Sequence, residues 1–167
     1  MIMKTIFILI FCLFPAITQP EITNNRQDNE KLFAQLRWNE NLQKTIEFIK
    51  VHEGLRAYVY NDNGYDAIGY GQRLACYNKT IQGPVTKQQA EKILFDSFAN
   101  HIRVVKFHFS KLNDNQVLAV AHLSYCVGIG FILKNKLVKD NKLDIEKLKR
   151  LPHPGNREFE IRMFYKN

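Results

Sequence analysis

The chain has 167 residues, enough for one domain with a substantial hydrophobic core. Its 46% hydrophobic and 24% charged residues are ordinary for a globular protein and exclude wholesale disorder. The formal charge of +8 favours an anionic polymer or surface as the target. Because the sequence has no arginine-rich arm and no zinc-ligand spacing, we expect no nucleic-acid partner.

The first residues have the pattern of a secretory signal. Lys4 precedes an apolar run over 6–14, and small residues around Ala16 offer a cleavage site. The run is too short to span a bilayer, so we expect no stable membrane insertion after cleavage, although an uncleaved anchor is the alternative. We therefore predict a signal peptide over 1–18, a polar leader with the start of the first helix over 19–38, and the folded domain over 39–167.

Export would leave Cys76 and Cys126 in the mature chain. An oxidising compartment permits a disulfide between them, but two buried thiols are an equal alternative. Asn78 is a glycosylation acceptor only in a eukaryotic host.

The elements are predicted in chain order from periodicity and turn residues. A helix over 32–38 is followed by one over 39–52, with Trp38, Leu42, Ile46 and Ile49 on its buried face and Gly54 at its end. Tyr58 to Gly71 alternates instead, with a turn over 61–64 and a return strand over 68–77, which predicts a small antiparallel sheet.

The remainder reads as helical. Thr86 and Gln89 form a capping box, and Asn113 or Asp114 begins a helix that turns Val117, Val120, Ala121 and Ser124 inward and runs to Gly128. A short helix is predicted over 144–150 and a last one over 156–165, with Phe159, Met163 and Phe164 toward the core. The predicted class is therefore α+β.

Two carboxylates stand out in this arrangement. Glu53 ends the first helix, where the negative end of the helix dipole and partial burial favour its protonated form. Asp62 lies in the following turn, where we expect it to stay ionised. Cleavage of a glycosidic bond requires such a pair across a sugar cleft. The simpler alternatives are a solvated helix-end carboxylate at Glu53 and a plain turn residue at Asp62.

The segment 52–71, together with 86–91, 112–130 and 155–164, resembles phage-type lysozymes of glycoside hydrolase family 24. The resemblance implies a two-lobed α+β fold with a small sheet lobe, a helical lobe and a cleft between them. It also implies hydrolysis of the β-1,4 bond between N-acetylmuramic acid and N-acetylglucosamine in peptidoglycan. The family's catalytic set is a Glu, an Asp nine positions later and a Thr in the returning strand, which places Glu53 and Asp62 in the first two roles.

Three polar positions depart from the family pattern. Ala67 stands where the Thr is expected, Gln72 where His often follows Gly-Tyr-Gly, and Cys126 where Asn is common. If the Thr orients the attacking water, its loss should raise the barrier by about 1–3 kcal/mol and slow the reaction about ten- to two-hundredfold. The neighbouring Asp66 should face the other way on the strand and cannot replace it.

We therefore predict a secreted, monomeric lysozyme with Glu53 as general acid and Asp62 as base or electrostatic stabiliser. We expect no cofactor and no metal, because the histidines show no ligand spacing, and the sequence assigns no substrate-binding residue. The chief alternative is a peptidoglycan-binding protein with impaired catalysis, and a further one is a cationic antimicrobial that acts on membranes.

Overall fold

The computed structural model describes residues 40–62, 64–74, 81 and 83–166. The predicted signal peptide, leader and helix over 32–38 lie outside these residues, as do Cys76 and Asn78. The described residues form helices and a small antiparallel sheet, so the predicted α+β class is confirmed. They belong to two compact units, with the boundary after Ala99.

The first unit begins with helix α1, Glu40–Glu53. Its apolar side chains recur at helical spacing, and Leu42, Ile46 and Ile49 are each 1% exposed, as predicted. Gly54 then adopts a left-handed φ of +68°, and its N–H donates to the carbonyl of Lys50 at 3.2 Å. This hydrogen bond closes the last turn and ends the helix where the sequence predicts.

A three-stranded antiparallel sheet follows, with strand order β1-β2-β3. The strands are β1, Arg56–Asp62; β2, Tyr65–Gly69; and β3, Gln72–Arg73. The predicted return strand was wrong in its bounds, because β2 starts three residues earlier than Ile68 and the chain reverses again after Gly69. That second reversal was missed since the turn depends on hydrogen bonds from the side chain of Gln72, described below.

Helix α2, Lys87–His108, crosses the boundary between the units. The predicted capping box is confirmed: Thr86 Oγ1 accepts from the N–H of Gln89 at 3.2 Å, and Gln89 Oε1 accepts from the N–H of Thr86 at 2.8 Å. These reciprocal bonds satisfy donors that the first helical turn leaves unpaired.

The rest of the second unit is mainly helical. Its elements are α3, Asp114–Val127; α4, Ile129–Lys134; strands β4, Val138–Lys139, and β5, Lys142–Leu143; α5, Ile145–Lys149; and α6, Pro154–Phe164. Asn113 is the N-cap of α3, with its capping partner Gln116. The β4–β5 hairpin was not predicted, because each of its strands has only two residues.

Helices α3 and α6 pack against each other and carry much of the core of this unit. All four α3 residues predicted to face inward are buried, and so are Met163 and Phe164 of α6, while Phe159 is half-buried. Polar side chains unexpectedly share this interior: His122 and Ser124 of α3, and Asn156, Arg157 and Glu160 of α6.

Candidate active site

Glu53 is the last residue of α1, immediately before the left-handed Gly54. Its carboxylate therefore sits at the negative end of the helix dipole, as predicted. The expected partial burial is wrong, however, because Glu53 is exposed. The position at the helix terminus is therefore confirmed, and the burial is not.

Ion pairs fix the end of α1 within its unit. Lys50 Nζ lies 2.8 Å from Glu47 Oε1 and 2.8 Å from Glu91 Oε1, so it joins α1 to the first turns of α2. Hydrogen bonds to Glu47 and Glu91 raise the pKa of Lys50, and the bond from Lys50 lowers the pKa of Glu91. Since Lys50 lies one helical turn before Glu53, this cluster holds the segment that presents the predicted acid.

Asp62 is the last residue of strand β1 and is half-buried. Its predicted place within the turn is therefore wrong, because Asp62 still pairs with Tyr65 of β2. The adjacent turn is held by Asn61, whose Oδ1 accepts a hydrogen bond from the N–H of Gly64 at 3.0 Å. Asn61 thus provides a side-chain hydrogen bond of this turn.

The register of the sheet determines which side chains accompany Asp62. Asp62 pairs with Tyr65, Tyr60 with Ala67, and Ala67 with Arg73, and directly opposed residues share a face of a sheet. These five residues therefore line one face. Ala67 lies at the centre of this face and is 0% exposed. Because alanine has no hydroxyl, the group that the family pattern supplies with a threonine is missing here.

Asp66 is exposed and pairs with Asn61 on the opposite face of the hairpin. The expectation that it points away from Ala67 is confirmed, because neighbouring residues on a strand face opposite ways. Asp66 therefore cannot stand in for the missing threonine.

Tyr60 connects the two predicted catalytic carboxylates electrostatically. Burial raises the pKa of its phenol, the negative charges of Asp62 and Glu53 raise it further, and Arg56 lowers it. The Arg56 guanidinium lies 4.2 Å from the centroid of the Tyr60 ring. Glu53 and Asp62 thus act on one aromatic side chain, and the phenol stays protonated at neutral pH.

The sheet face holds a second cation–π pair that the sequence did not reveal. Arg73 lies 4.1 Å from the centroid of the Tyr65 ring. Such pairs order long cationic side chains over aromatic rings. The alternation of aromatic residues in this segment was visible in the sequence, but the partners depend on strand register.

Gln72 has a structural role rather than the role of a cleft side chain. It is 3% exposed, its Oε1 accepts from the N–H of Tyr70 at 2.9 Å, and its Nε2 donates to the carbonyl of Tyr70 at 3.1 Å. A Cβ at Gly69 would lie 2.9 Å from Gln72 Oε1, so a glycine is required beside it. The departure from histidine at position 72 is therefore explained by the turn between β2 and β3.

The helical unit contains one group of metal-ligand types among the described residues: His122, Cys126 and Glu160, whose ligand atoms lie within 4.8 Å of one another. Glu160 Oε1 already contacts His122 Nδ1 at 2.8 Å and Arg157 at 3.1 Å. The guanidinium supplies the positive charge that a metal would bring, so this buried carboxylate is balanced as it stands. The His-x-x-x-Cys spacing on α3 is the sequence signal for this group, which was not predicted.

His101 on α2 adjoins this network. Its Nδ1 lies 2.9 Å from Ser124 Oγ, and its ring meets that of Tyr125 edge-on, with the centroids 5.5 Å apart. Burial, followed by repulsion from His122, lowers the pKa of His101 to about 4. The imidazole is therefore neutral at neutral pH.

Cys126 accepts a hydrogen bond from Asn156 Nδ2, with a donor–sulfur distance of 3.7 Å. Its predicted alternative partner, Cys76, lies outside the described residues, so the disulfide stays a prediction. Among the described helices, none combines the length and apolar character needed to cross a membrane.

The family model for phage lysozyme matches residues 50–151. This match includes Glu53, Asp62, the sheet and most of the helical unit. A comparison with curated proteins finds no match to this chain.

Proposed function

Because the chain belongs to the phage lysozyme family, whose members hydrolyse peptidoglycan, we propose that it is a secreted lysozyme. It cleaves the β-1,4 bond between N-acetylmuramic acid and N-acetylglucosamine, with Glu53 as general acid and Asp62 as base or electrostatic stabiliser. Its role is bacterial lysis, defence or competition.

The observation that carries this proposal is the match to the phage lysozyme family over residues 50–151, which includes both carboxylates. Glu53 comes from the end of a helix and Asp62 from the end of a strand of the same unit. Glu53 also lies at the negative end of a helix dipole, which supports its assignment as the acid. Glycoside hydrolysis needs one carboxyl group in each of these two roles.

The chemistry assigned to each group follows from its position. Glu53 gives its proton to the leaving oxygen, and Asp62 activates water or stabilises the positive charge that develops on the sugar ring. Ala67 supplies no hydroxyl to orient that water, so turnover is slow compared with that of an enzyme carrying threonine there.

The buried Ala67 is also the observation that favours a second candidate, a peptidoglycan-binding protein that has lost efficient turnover. This protein would keep the sugar-binding surface and release no product. The two functions differ in one measurable quantity, the number of reducing ends formed per bound protein.

The test uses purified peptidoglycan and four proteins: wild type, Glu53→Gln, Asp62→Asn and the control Asp66→Asn. Asp66 lies on the opposite face of the same hairpin and is exposed, so it matches the charge change without touching the site. We expect wild type and control to release reducing ends, and the Glu53 variant to lose about 100- to 10,000-fold in rate, the usual contribution of a general acid.

Retained binding with no release by any protein would refute the enzyme and support the wall-binding candidate. Bacterial killing that survives Glu53→Gln would instead support action on membranes. If Asp66→Asn lost as much hydrolytic rate as Asp62→Asn, the catalytic role assigned to Asp62 would be refuted.

A further inference from the structure

Lysines surround a concavity at the β4–β5 hairpin of the second unit. The concavity has a volume of about 390 Å³ and is lined by Lys136, Lys139, Lys142, Leu143, Asp144 and Lys147. None of these residues belongs to the catalytic proposal above. We refer to this group as the lysine site.

Two of these lysines face each other directly across the hairpin. Lys139 pairs with Lys142 in the register of β4 and β5, and like charges in directly opposed positions destabilise a sheet. The turn between them places both Asp140 and Asn141 at positive φ, 50° and 58°. This two-residue turn fixes the register, so the hairpin holds two ammonium groups together despite their repulsion.

The one acid that lines the concavity is already engaged. Asp144 Oδ2 lies 2.9 Å from Lys147 Nζ, and its Oδ1 accepts from the N–H of Lys147 at 3.1 Å. These contacts lower the pKa of Asp144, which therefore stays charged and bound to Lys147. Among the described residues no carboxylate pairs with Lys136, Lys139 or Lys142, so three positive charges at the lysine site are uncompensated.

Lys136 is held at the site by an unusual backbone. Its φ of 50° lies in the left-handed region, where helices commonly place glycine or asparagine just after their end. The N–H of Lys136 donates to the carbonyl of Leu133 at 3.1 Å, and the N–H of Leu137 donates to the carbonyl of Ile132 at 3.0 Å. These two bonds hold the backbone of Lys136 beside the hairpin.

Positive charge is also concentrated around the lysine site. Residues 134–150 hold seven basic and three acidic side chains, a net +4 that is half of the formal +8 of the chain. Because lysine binds phosphate as a point charge and needs no planar carboxylate fork, clustered lysines suit phosphate groups.

We propose that the lysine site binds a phosphate-bearing polymer of the bacterial wall, with successive phosphates contacting Lys136, Lys139 and Lys142. The choice of a wall polymer rests on the proposed function, which brings the protein to the wall. Binding there retains the enzyme beside its substrate and takes no part in bond cleavage.

The test measures the affinity for purified poly(glycerol phosphate), which contains no glycosidic backbone. The variant Lys139→Gln with Lys142→Gln is compared with wild type and with the control Lys87→Gln with Lys111→Gln. The control removes the same charge at exposed lysines outside the site. The site variant relieves a like-charge pair, so its thermal unfolding midpoint should not fall.

Three phosphate contacts predict that wild-type affinity falls about 20-fold between about 50 and about 200 mM salt, and one remaining contact predicts a fall of about threefold. We expect the site variant to bind at least about tenfold more weakly at low salt, with the control within about twofold of wild type. Hydrolysis of walls stripped of phosphate polymer should be the same for all three proteins. This keeps a failure of the lysine site distinct from a failure of the proposed catalysis.

Equal weakening in the control would overturn the proposal, because binding would then follow total charge rather than the lysine site. So would unchanged affinity in the site variant. A parallel measurement uses phosphatidylglycerol vesicles; if the vesicles depend on Lys139 and Lys142 while the polymer does not, a lipid surface replaces the wall polymer as the ligand.

Discussion

His101 should make the protein less stable in acid. Its pKa is lowered from 6.5 to about 4 in the folded protein, while the unfolded chain keeps the ordinary value. The groups known to face it are Ser124, Tyr125 and His122, none of which offers a negative charge to an imidazolium. Between pH 6.5 and about 4, His101 therefore binds a proton in the unfolded state but not in the folded state.

The sign and size of the effect follow from proton linkage. Stability is fully present above pH 6.5 and is lost as the pH falls through the interval down to about 4. Taking the two pKa values at face value gives a loss of about 2.5 kcal/mol at pH 4.5 relative to pH 7. Because the residue is only partly buried, solvent screens part of this, and we expect about 1–2.5 kcal/mol.

Urea unfolding of wild type, His101→Gln and His108→Gln at both pH values measures this contribution. Glutamine can still hydrogen-bond to Ser124 but does not titrate. His108 is an exposed histidine on the same helix and controls for the loss of an imidazole. The drop in the free energy of unfolding from pH 7 to pH 4.5 should be smaller in His101→Gln by about 1–2.5 kcal/mol, and unchanged in His108→Gln.

If wild type and His101→Gln lose the same free energy between the two pH values, the reasoning is refuted. The acid sensitivity would then belong to other groups, and the environment of His101 would not disfavour its charged form.

Three further substitutions test the site and the hairpin. Ala67→Thr should raise kcat on peptidoglycan about ten- to two-hundredfold, because it supplies the missing hydroxyl. It should also lower the free energy of unfolding by about 1–3 kcal/mol, because Ala67 is fully buried and the larger side chain overpacks the site. An unchanged kcat would contradict the role given to the hydroxyl. Gln72→Leu should lower the free energy of unfolding by about 1–3 kcal/mol, because it removes two buried hydrogen bonds to Tyr70. A fall in kcat without a loss of stability would contradict this structural role. Lys142→Glu should raise the free energy of unfolding by about 0.5–1 kcal/mol, because it replaces repulsion from Lys139 with attraction. Urea unfolding measures this change, and a decrease would mean that the two side chains do not face each other.

Local signals fixed much of the architecture in advance. The helix over Glu40–Glu53, the capping box at Thr86 and the helix start at Asn113 each depend on residues three or four positions apart, which the sequence displays directly. The position of Glu53 at the end of its helix could be predicted for the same reason, whereas its catalytic role and that of Asp62 were predicted from the family resemblance.

The sequence by itself therefore determined where the two acids lie along the chain and that an alanine follows them in place of a hydroxyl-bearing residue. Only the tertiary structure decided what surrounds them, because strand register places Tyr60 opposite Ala67 and turns Asp66 to the other face. Packing of helices far apart in sequence likewise decided that Glu160 meets His122 and that α3 carries polar residues inward. Periodicity specifies which side of a helix or strand is buried. Which residues of another element contact that side depends on how the two elements are aligned, and the whole fold sets that alignment.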